Sequence, residues 1–291
     1  MNEDFSDWIG QTQSISDVID ARHANLMAAT MARPEVEGEI KPFSEGDELP
    51  LGWQWIYFLQ AAPSSQLGRD GHSKTGGFLP PIPLPRRMWA GSRLEFLQPL
   101  LIGDQVEKKT EILSVTPKEG KSGPLYFVTV KHSFTKQTGL CLVEEQDLVY
   151  RSDPRPDSVA PQLSEAPAQA KFSREIVPTS TWLFRYSALT FNGHRIHYDV
   201  DYAREVEGYR NLVFHGPLSA TLLLELASEI AGKQQGKQQG KQKLASFSFR
   251  AISPLFADRS FSIHANANGS EIWAANPDGK LAISAKASFV D

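Results

Sequence analysis

The sequence predicts an α+β protein of two similar halves, each a helix followed by an antiparallel sheet. Three observations carry that expectation. Apolar residues recur at three and four in one stretch of each half, and runs that alternate with period two follow. Between the halves lie residues 152–171, SDPRPDSVAPQLSEAPAQAK, with four prolines and almost nothing to bury, the composition of a linker. The 291 residues also exceed one small core and suit two of about 140 residues each. The expected organisation is an N-terminal unit over 1–151, a linker over 152–171 and a C-terminal unit over 172–291.

In the first unit, SISDVIDARHANLMAATMAR (14–33) reads as a helix. Ile15, Val18, Ile19, Arg22 and Leu26 recur at helical spacing, Ser14 or Ser16 can cap the start, and Pro34 ends it. LGWQWIYFLQAA (51–62) reads as a buried helix of three turns. Residues 63–85, broken by Gly76-Gly77 and PPIPLP, form a long loop of the kind that often covers a binding cleft. From Met88 the period is two. RLEFLQPLLIG, QVEKKTEILSVTP, LYFVTVKHSFTKQ and LCLVEEQDLVYRS are strand-like runs separated by glycine-containing turns.

In the second unit a strand is expected at Trp182–Ala188 and a helix at Pro217–Ala231. Further strands are expected at Leu244–Ile252, Ser260–Ala267, Glu271–Ala275 and Leu281–Val290. Arg93–Leu100 and Arg250–Leu255 share a layout, an Arg leading a strand into Pro-Leu, which supports a duplication. GKQQGKQQGKQ (232–242) reads as a solvated loop whose lysines are candidates to hold phosphate.

Composition excludes several classes. A hydrophobic content of 41% with 22% charged residues is an ordinary globular profile. The net charge of −4 offers no footprint for nucleic acid. Cys141 is alone, so no internal disulfide forms and a reducing compartment is expected; as a side chain it reads as a small buried hydrophobe. MNEDFSDW lacks the layout of a signal peptide, and no apolar run approaches the 18 or so residues of a membrane span. A soluble cytoplasmic protein with no nucleic-acid or membrane partner is expected; a homodimer is allowed by the sequence but not dictated by it.

The helix at 217–231 organises the second half. Pro217 suits a first helical position and Gly232 falls just past the end. Leu218, Leu222, Leu226 and Ile230 form one apolar line beside Ala220, Leu224, Ala227 and Ala231. Such a helix is buried on most sides, as when a curved sheet wraps it. At its start, Gly216 offers an amide, a partial positive charge and close backbone approach. About twenty residues earlier, FNGHRIHYD (191–199) sets two histidines, an amide and an arginine in close order.

FNGHRIHYDVDYA followed by LVFHGPLSATLLLELA resembles the MaoC-like, (R)-specific enoyl-CoA hydratase group of hotdog-fold proteins. The motif of that group runs Asp-x-Asn-Pro-aliphatic-His, then aliphatic-His-Gly at the start of a central helix. Asn192 stands at the Asp, His194 at the Asn, Arg195 at the Pro, His197 at the His, and His215-Gly216 at the His-Gly. With DWIGQT near the N-terminus, the chain resembles the branch of mesaconyl-C4-CoA, 3-methylfumaryl-CoA and itaconyl-CoA hydratases and fungal mitochondrial 3-hydroxyacyl-thioester dehydratases. The resemblance implies a double hotdog: two halves, each with a central helix wrapped by an antiparallel sheet, and one active site at the seam.

It also implies a hydro-lyase that adds or removes water across a 2-enoyl thioester. No cofactor or metal is expected, because CoA is part of the substrate. His197 is expected as the acid/base, Asn192 as the group that orients water, and the Gly216 amide as the donor to the enolate-like oxygen. An Asn cannot share proton transfer as the family's Asp can, so His194, Tyr198 or Asp199 are candidate helpers. His194, Arg195, Tyr198 and His215 form the expected substrate-binding set. Arg195 is the candidate to grip a second carboxylate, which would favour a branched dicarboxylic acyl-CoA; alternatively it pairs with Asp199 or Asp201. Rival readings are a metal site of His194, His197 and His215, a hotdog thioesterase, a dehydratase of fatty-acid synthesis and a non-catalytic acyl-CoA binder.

Overall fold

The structure is a computed structural model that describes residues 3–32, 41–120, 123–153, 162–234 and 243–290. Its frame is one ten-stranded antiparallel sheet. The first half supplies β1 (Thr12–Val18), β2 (Arg86–Phe96), β3 (Gln105–Gly120), β4 (Gly123–Lys136) and β5 (Gly139–Arg151). The second half supplies β6 (Phe172–Ile176), β7 (Lys243–Ala251), β8 (Phe261–Ala265), β9 (Glu271–Ala275) and β10 (Leu281–Val290). The halves join at β2 and β7. Counted outwards from that seam, the strand orders are 2-5-4-3-1 and 7-10-9-8-6, one topology twice.

The strands that carry the two Arg-to-Pro-Leu segments pair across the seam at their leading ends, with Gly91 opposite Arg250 and Leu94 opposite Phe247, so the segments themselves run away from each other. Gly91 is required there, because a Cβ would collide with the carbonyl of Phe249 across the seam.

Among the described residues four helices complete the fold: α1 (Ala21–Met31), α2 (Ser180–Leu189), α3 (Val200–Glu205) and α4 (Gly216–Gln234). α4 lies in the hollow of the second half against β7, β8, β9 and β10, with Leu218, Leu222, Leu223 and Leu224 fully buried. It runs two residues past Gly232; the rest of the lysine-containing repeat, 235–242, is outside the described residues. The linker segment 154–161 is also outside them.

Several local expectations are corrected. The segment 14–33 is not one helix. TQSISDV alternates and pairs with β3 as an edge strand, and Asp20, not a serine, caps α1 by accepting from the His23 amide at 2.9 Å. The aromatic stretch 51–62 makes only a single 3-10 turn, Trp53–Ile56. Gly52 at φ +84° and Phe58 at φ +58° break the helix on either side, and the Phe58 amide turns to Asp17 Oδ2 at 2.7 Å. Residues 182–188 form part of α2 instead of a strand. Thr179 caps it, and Trp182, Leu183, Tyr186, Ser187 and Leu189 bury one helical face. The first strand of the second half is β6, upstream of that segment. Cys141 is a free, fully buried thiol, as expected of a small core residue.

Candidate active site

The polar segment follows directly from α2. Its last turn ends at Thr190, Phe191 takes φ +48°, and the Asn192 amide bonds back to the Ser187 carbonyl at 2.8 Å. This reversal delivers Asn192–Asp199 to the mouth of the hollow that α4 enters. Asn192 Oδ1 accepts from the His194 amide at 3.0 Å, and Arg195–His197 close into one 3-10 turn. Asp199 caps α3 by accepting from the Tyr202 amide at 3.0 Å.

His197 is buried and oriented. Its Nδ1 lies 2.7 Å from the Val213 carbonyl, so that nitrogen carries the proton. Nε2 is left with no hydrogen bond among the described residues, in a ring that lines the cleft. Burial, and then the neighbouring His215 and His194, push its pKa well below the ordinary value. His197 is therefore a neutral imidazole with a free lone pair. Gly216 lines the same cleft at the first position of α4, where the helical pattern leaves the amide without an intrahelical partner. A Cβ there would meet nothing within 4 Å, so the backbone is open to a ligand.

The other expected residues divide. His194 lines the cleft, with Nε2 held 3.0 Å from Glu207 Oε1. Glu207 in turn takes Arg86 Nε at 3.1 Å, a buried ion pair joining the halves. Burial pushes the Glu207 carboxyl up, yet His194 and Arg86 hold it below its ordinary value. His215 is fully buried behind His197, the rings stacked at 3.7 Å, and its Nε2 meets Ser187 Oγ at 2.9 Å. It supports His197 and does not line the cleft. Tyr198 is half exposed and donates to the Gly193 carbonyl at 2.9 Å, outside the cleft lining. Arg195 is spent on Asp199 through Nε at 3.0 Å and Nη2 at 2.7 Å, and stacks over Tyr202 at 4.1 Å. Of the two expectations for Arg195, the ion pair is the one formed.

The first half contributes what the sequence did not suggest. The long loop 63–85 does cover the cleft, and Asp70-Gly71-His72 within it reaches the histidines. Asp70 accepts from the His72 amide at 3.0 Å and meets His72 Nδ1 at 2.8 Å. The His72 ring lies 4.3 Å from the His194 ring. Burial pushes His72 down to about 4 against the pull of Asp70, so it too is neutral near pH 7. The Arg195 amide bonds to the Asp70 carbonyl at 2.8 Å. Gly71, at φ +89°, presses on Gly193 so closely that a Cβ would strike its carbonyl. The signal for this contact was a DGH tripeptide in a breaker-rich loop, which is common in turns and carries no partner information.

Asp70, His72 and His194 place ligand-type atoms within 4.8 Å of one another. Asp70 and His72 are bonded to each other, and His194 to Glu207, so the group is two hydrogen-bonded pairs whose imidazole rings meet at 4.3 Å. In the trio of the rival metal reading, His197 Nδ1 and His215 Nε2 are turned to protein oxygens. The cleft itself measures about 2270 Å³, is lined by both halves, and has room for an acyl chain and part of its carrier.

Comparison with known proteins identifies the family. Residues 52–257 match the hydroxyacyl-thioester dehydratase type 2 family. A mesaconyl-C(4)-CoA hydratase of Chloroflexus aurantiacus is 44% identical over 97% of this chain and 96% of its own. The mitochondrial hydroxyacyl-thioester dehydratase type 2 of Schizosaccharomyces pombe is 29% identical over 77% of this chain and 80% of its own. Among solved structures, a MaoC-like dehydratase of Phytophthora capsici superimposes with a TM-score of 0.65 at 15% identity, covering 97% of this chain and 96% of that one. A Mycobacterium tuberculosis protein described as a double hotdog gives 0.56 at 13% identity, over 97% and 96% of the two chains. No helix among the described residues is long and apolar enough to cross a membrane. The chain belongs to the hydroxyacyl-thioester dehydratase type 2 family, and it is a double-hotdog hydro-lyase of acyl thioesters.

Proposed function

We propose that the enzyme hydrates a branched dicarboxylic 2-enoyl-CoA, with mesaconyl-C4-CoA as the first substrate to test. The observation that carries the chemistry is the fixed tautomer of His197, whose Nε2 is unbonded in the cleft that Asn192 and Gly216 share. The 44% identity to a mesaconyl-C(4)-CoA hydratase supports the substrate class.

In this reading Asn192 and His197 hold a water over the double bond. His197 Nε2 takes one proton as the oxygen attacks Cβ, and the π electrons move through Cα to the thioester oxygen. The Gly216 amide, at the positive end of α4, meets that developing charge. As the enolate collapses, His197 returns the proton to Cα. The sum is H and OH added across C=C, with no cofactor consumed. Because burial keeps His197 neutral, the base is ready at pH 7 without prior deprotonation. His72 is a second neutral imidazole on the same wall, positioned by Asp70 to relay a proton to solvent. A bacterial relative of this identity and a lone buried thiol support a cytoplasmic location.

The test is spectroscopic. Loss of enoyl-thioester absorbance is followed with mesaconyl-C4-CoA and crotonyl-CoA, for the wild type and for His197→Gln. Hydration of the dicarboxylic thioester that disappears in the variant is expected. Release of free thiol instead would replace this reading with a thioesterase. Preference for crotonyl-CoA would favour a hydroxyacyl-thioester dehydratase, the activity named in the Schizosaccharomyces pombe relative.

A further inference from the structure

We propose that Arg87 is the carboxylate anchor of the cleft, the residue that selects a dicarboxylic acyl-CoA over a simple enoyl-CoA. The inference rests on the hydratase reading and names the group that gives it specificity.

The substrate chemistry fixes where such an anchor must lie. In a mesaconyl group esterified at C4, the free carboxylate sits on Cβ, the carbon that receives water. Its counter-charge must therefore stand beside the imidazole cluster, not at the far end of the cleft. Arg195 cannot serve, being paired with Asp199 and outside the cleft lining. Arg86 is closed on Glu207, while Arg210 and Arg259, also on the cleft wall, are closed on Asp258 and Asp278.

Arg87 differs from all of these. It is half-buried, lines the cleft, and has no carboxylate partner among the described residues. Its position in β2, opposite Tyr150 of β5, turns it to the face where Tyr150 lies, away from the Arg86–Glu207 pair. Its positive charge bears on His72, whose ring is 4.3 Å from His194, itself 5.5 Å from the His197 ring. Arg87 thus lies on the first-half wall of the cleft, within electrostatic reach of His72. A partly desolvated guanidinium with no counter-charge is costly unless an anion completes it, and its planar fork matches a carboxylate through two parallel hydrogen bonds. Arg151 also lines the cleft without a carboxylate partner among the described residues, and its charge bears on Tyr209.

The test separates binding from turnover. The wild type, Arg87→Gln and Arg87→Lys are titrated calorimetrically with methylsuccinyl-CoA and butyryl-CoA, saturated thioesters that cannot react. Rates with mesaconyl-C4-CoA and crotonyl-CoA are measured alongside, and melting curves confirm folding. The wild type should prefer methylsuccinyl-CoA. Arg87→Gln should lose about 100-fold on the dicarboxylic pair and less than about threefold on the monocarboxylic pair, the scale expected on truncating one partner of a buried charge pair. Arg87→Lys should recover part of the loss. Equal losses on both pairs, no loss on either, or a wild type without preference in binding would each overturn the proposal. Should no thioester be hydrated while the binding preference is present and Arg87-dependent, the hydratase reading fails and the anchor stands.

Discussion

The two halves repeat one strand order and put it to opposite uses. In the second half, short strands of 5, 5 and 10 residues enclose a 19-residue helix whose leucines fill the hollow. In the first half, strands of 16, 14 and 13 residues face a helix of only 11 residues, α1, and a single 3-10 turn. The space not filled by a helix becomes the cleft wall: Thr110 bonds His132 at 2.9 Å, His132 meets Gln146 at 3.1 Å, and buried Glu144 takes Trp55 and Ser92. One half is packed and offers a helix start; the other is hollow and supplies much of the cleft wall. A site at their seam needs both, because a rigid amide and a free volume cannot come from the same interior.

The largest expected effect tests that division directly. His197→Gln in the packed half should lower kcat about 1000-fold, since it removes the proposed proton carrier. The comparable change in the hollow half, His132→Gln, should alter kcat less than about threefold, because His132 bonds only to Thr110 and Gln146. Stopped-flow hydration assays on both variants decide it; equal losses would mean that the polar wall takes part in the chemistry.

Packing should be just as unequal. Leu222→Ala removes a fully buried side chain from α4 and should cost about 2–5 kcal/mol by urea denaturation. Leu26→Ala in α1, at 48% exposure, should cost less than about 0.5 kcal/mol. Gly71→Ala falls between these in kind. It drives a Cβ into the Gly193 carbonyl, so the DGH loop must lift from the seam. The rate should fall about tenfold or more, with the melting temperature reduced, as a displaced contact near reacting groups predicts. An active, fully stable Gly71→Ala enzyme would show that the loop contact is dispensable.

What the sequence revealed follows the same divide. α4 was legible because a buried helix with Pro at its start and a leucine line at 3.6 spacing has few alternative structures. Eight of the ten strands, β2 to β5 and β7 to β10, were legible from period two and their turns. β1 was lost inside a helical pattern, since SISDV satisfies both periods and only pairing with β3 decides between them. α2 was lost for the converse reason: WLFRYSAL is aromatic enough for a strand until Thr179 caps it. The site showed the same limit. Asn192, His197 and Gly216 lie in one continuous motif, whereas Asp70 and His72 arrive from more than a hundred residues away through a glycine contact that no spacing rule encodes. Arg195 misled because a guanidinium in a polar cluster is equally suited to an acyl carboxylate and to Asp199 four residues on, and the near partner is held without an entropic search.

The remaining effect is electrostatic and spans both halves. Burial pushes His72 and His132 in the first half down to about 4 and His215 in the second down to about 3. In the unfolded chain each returns to about 6.5, so between those values the unfolded state binds protons that the folded state refuses. Stability should therefore be level above pH 6.5 and fall as the pH drops from 6.5 towards 4, by up to about 1.4 kcal/mol for each unit by which a pKa is lowered. Asp70 acts in a lower window. Its folded pKa is depressed, so its contribution is present above the ordinary carboxylate range and lost only below it. Melting temperatures measured from pH 8 to 4 should show a decline that begins near 6.5. His132→Gln should flatten part of that decline without touching turnover, whereas a melting temperature unchanged down to pH 5 would mean that these imidazoles are solvated in the folded enzyme and that the hollow half is open to water throughout its depth.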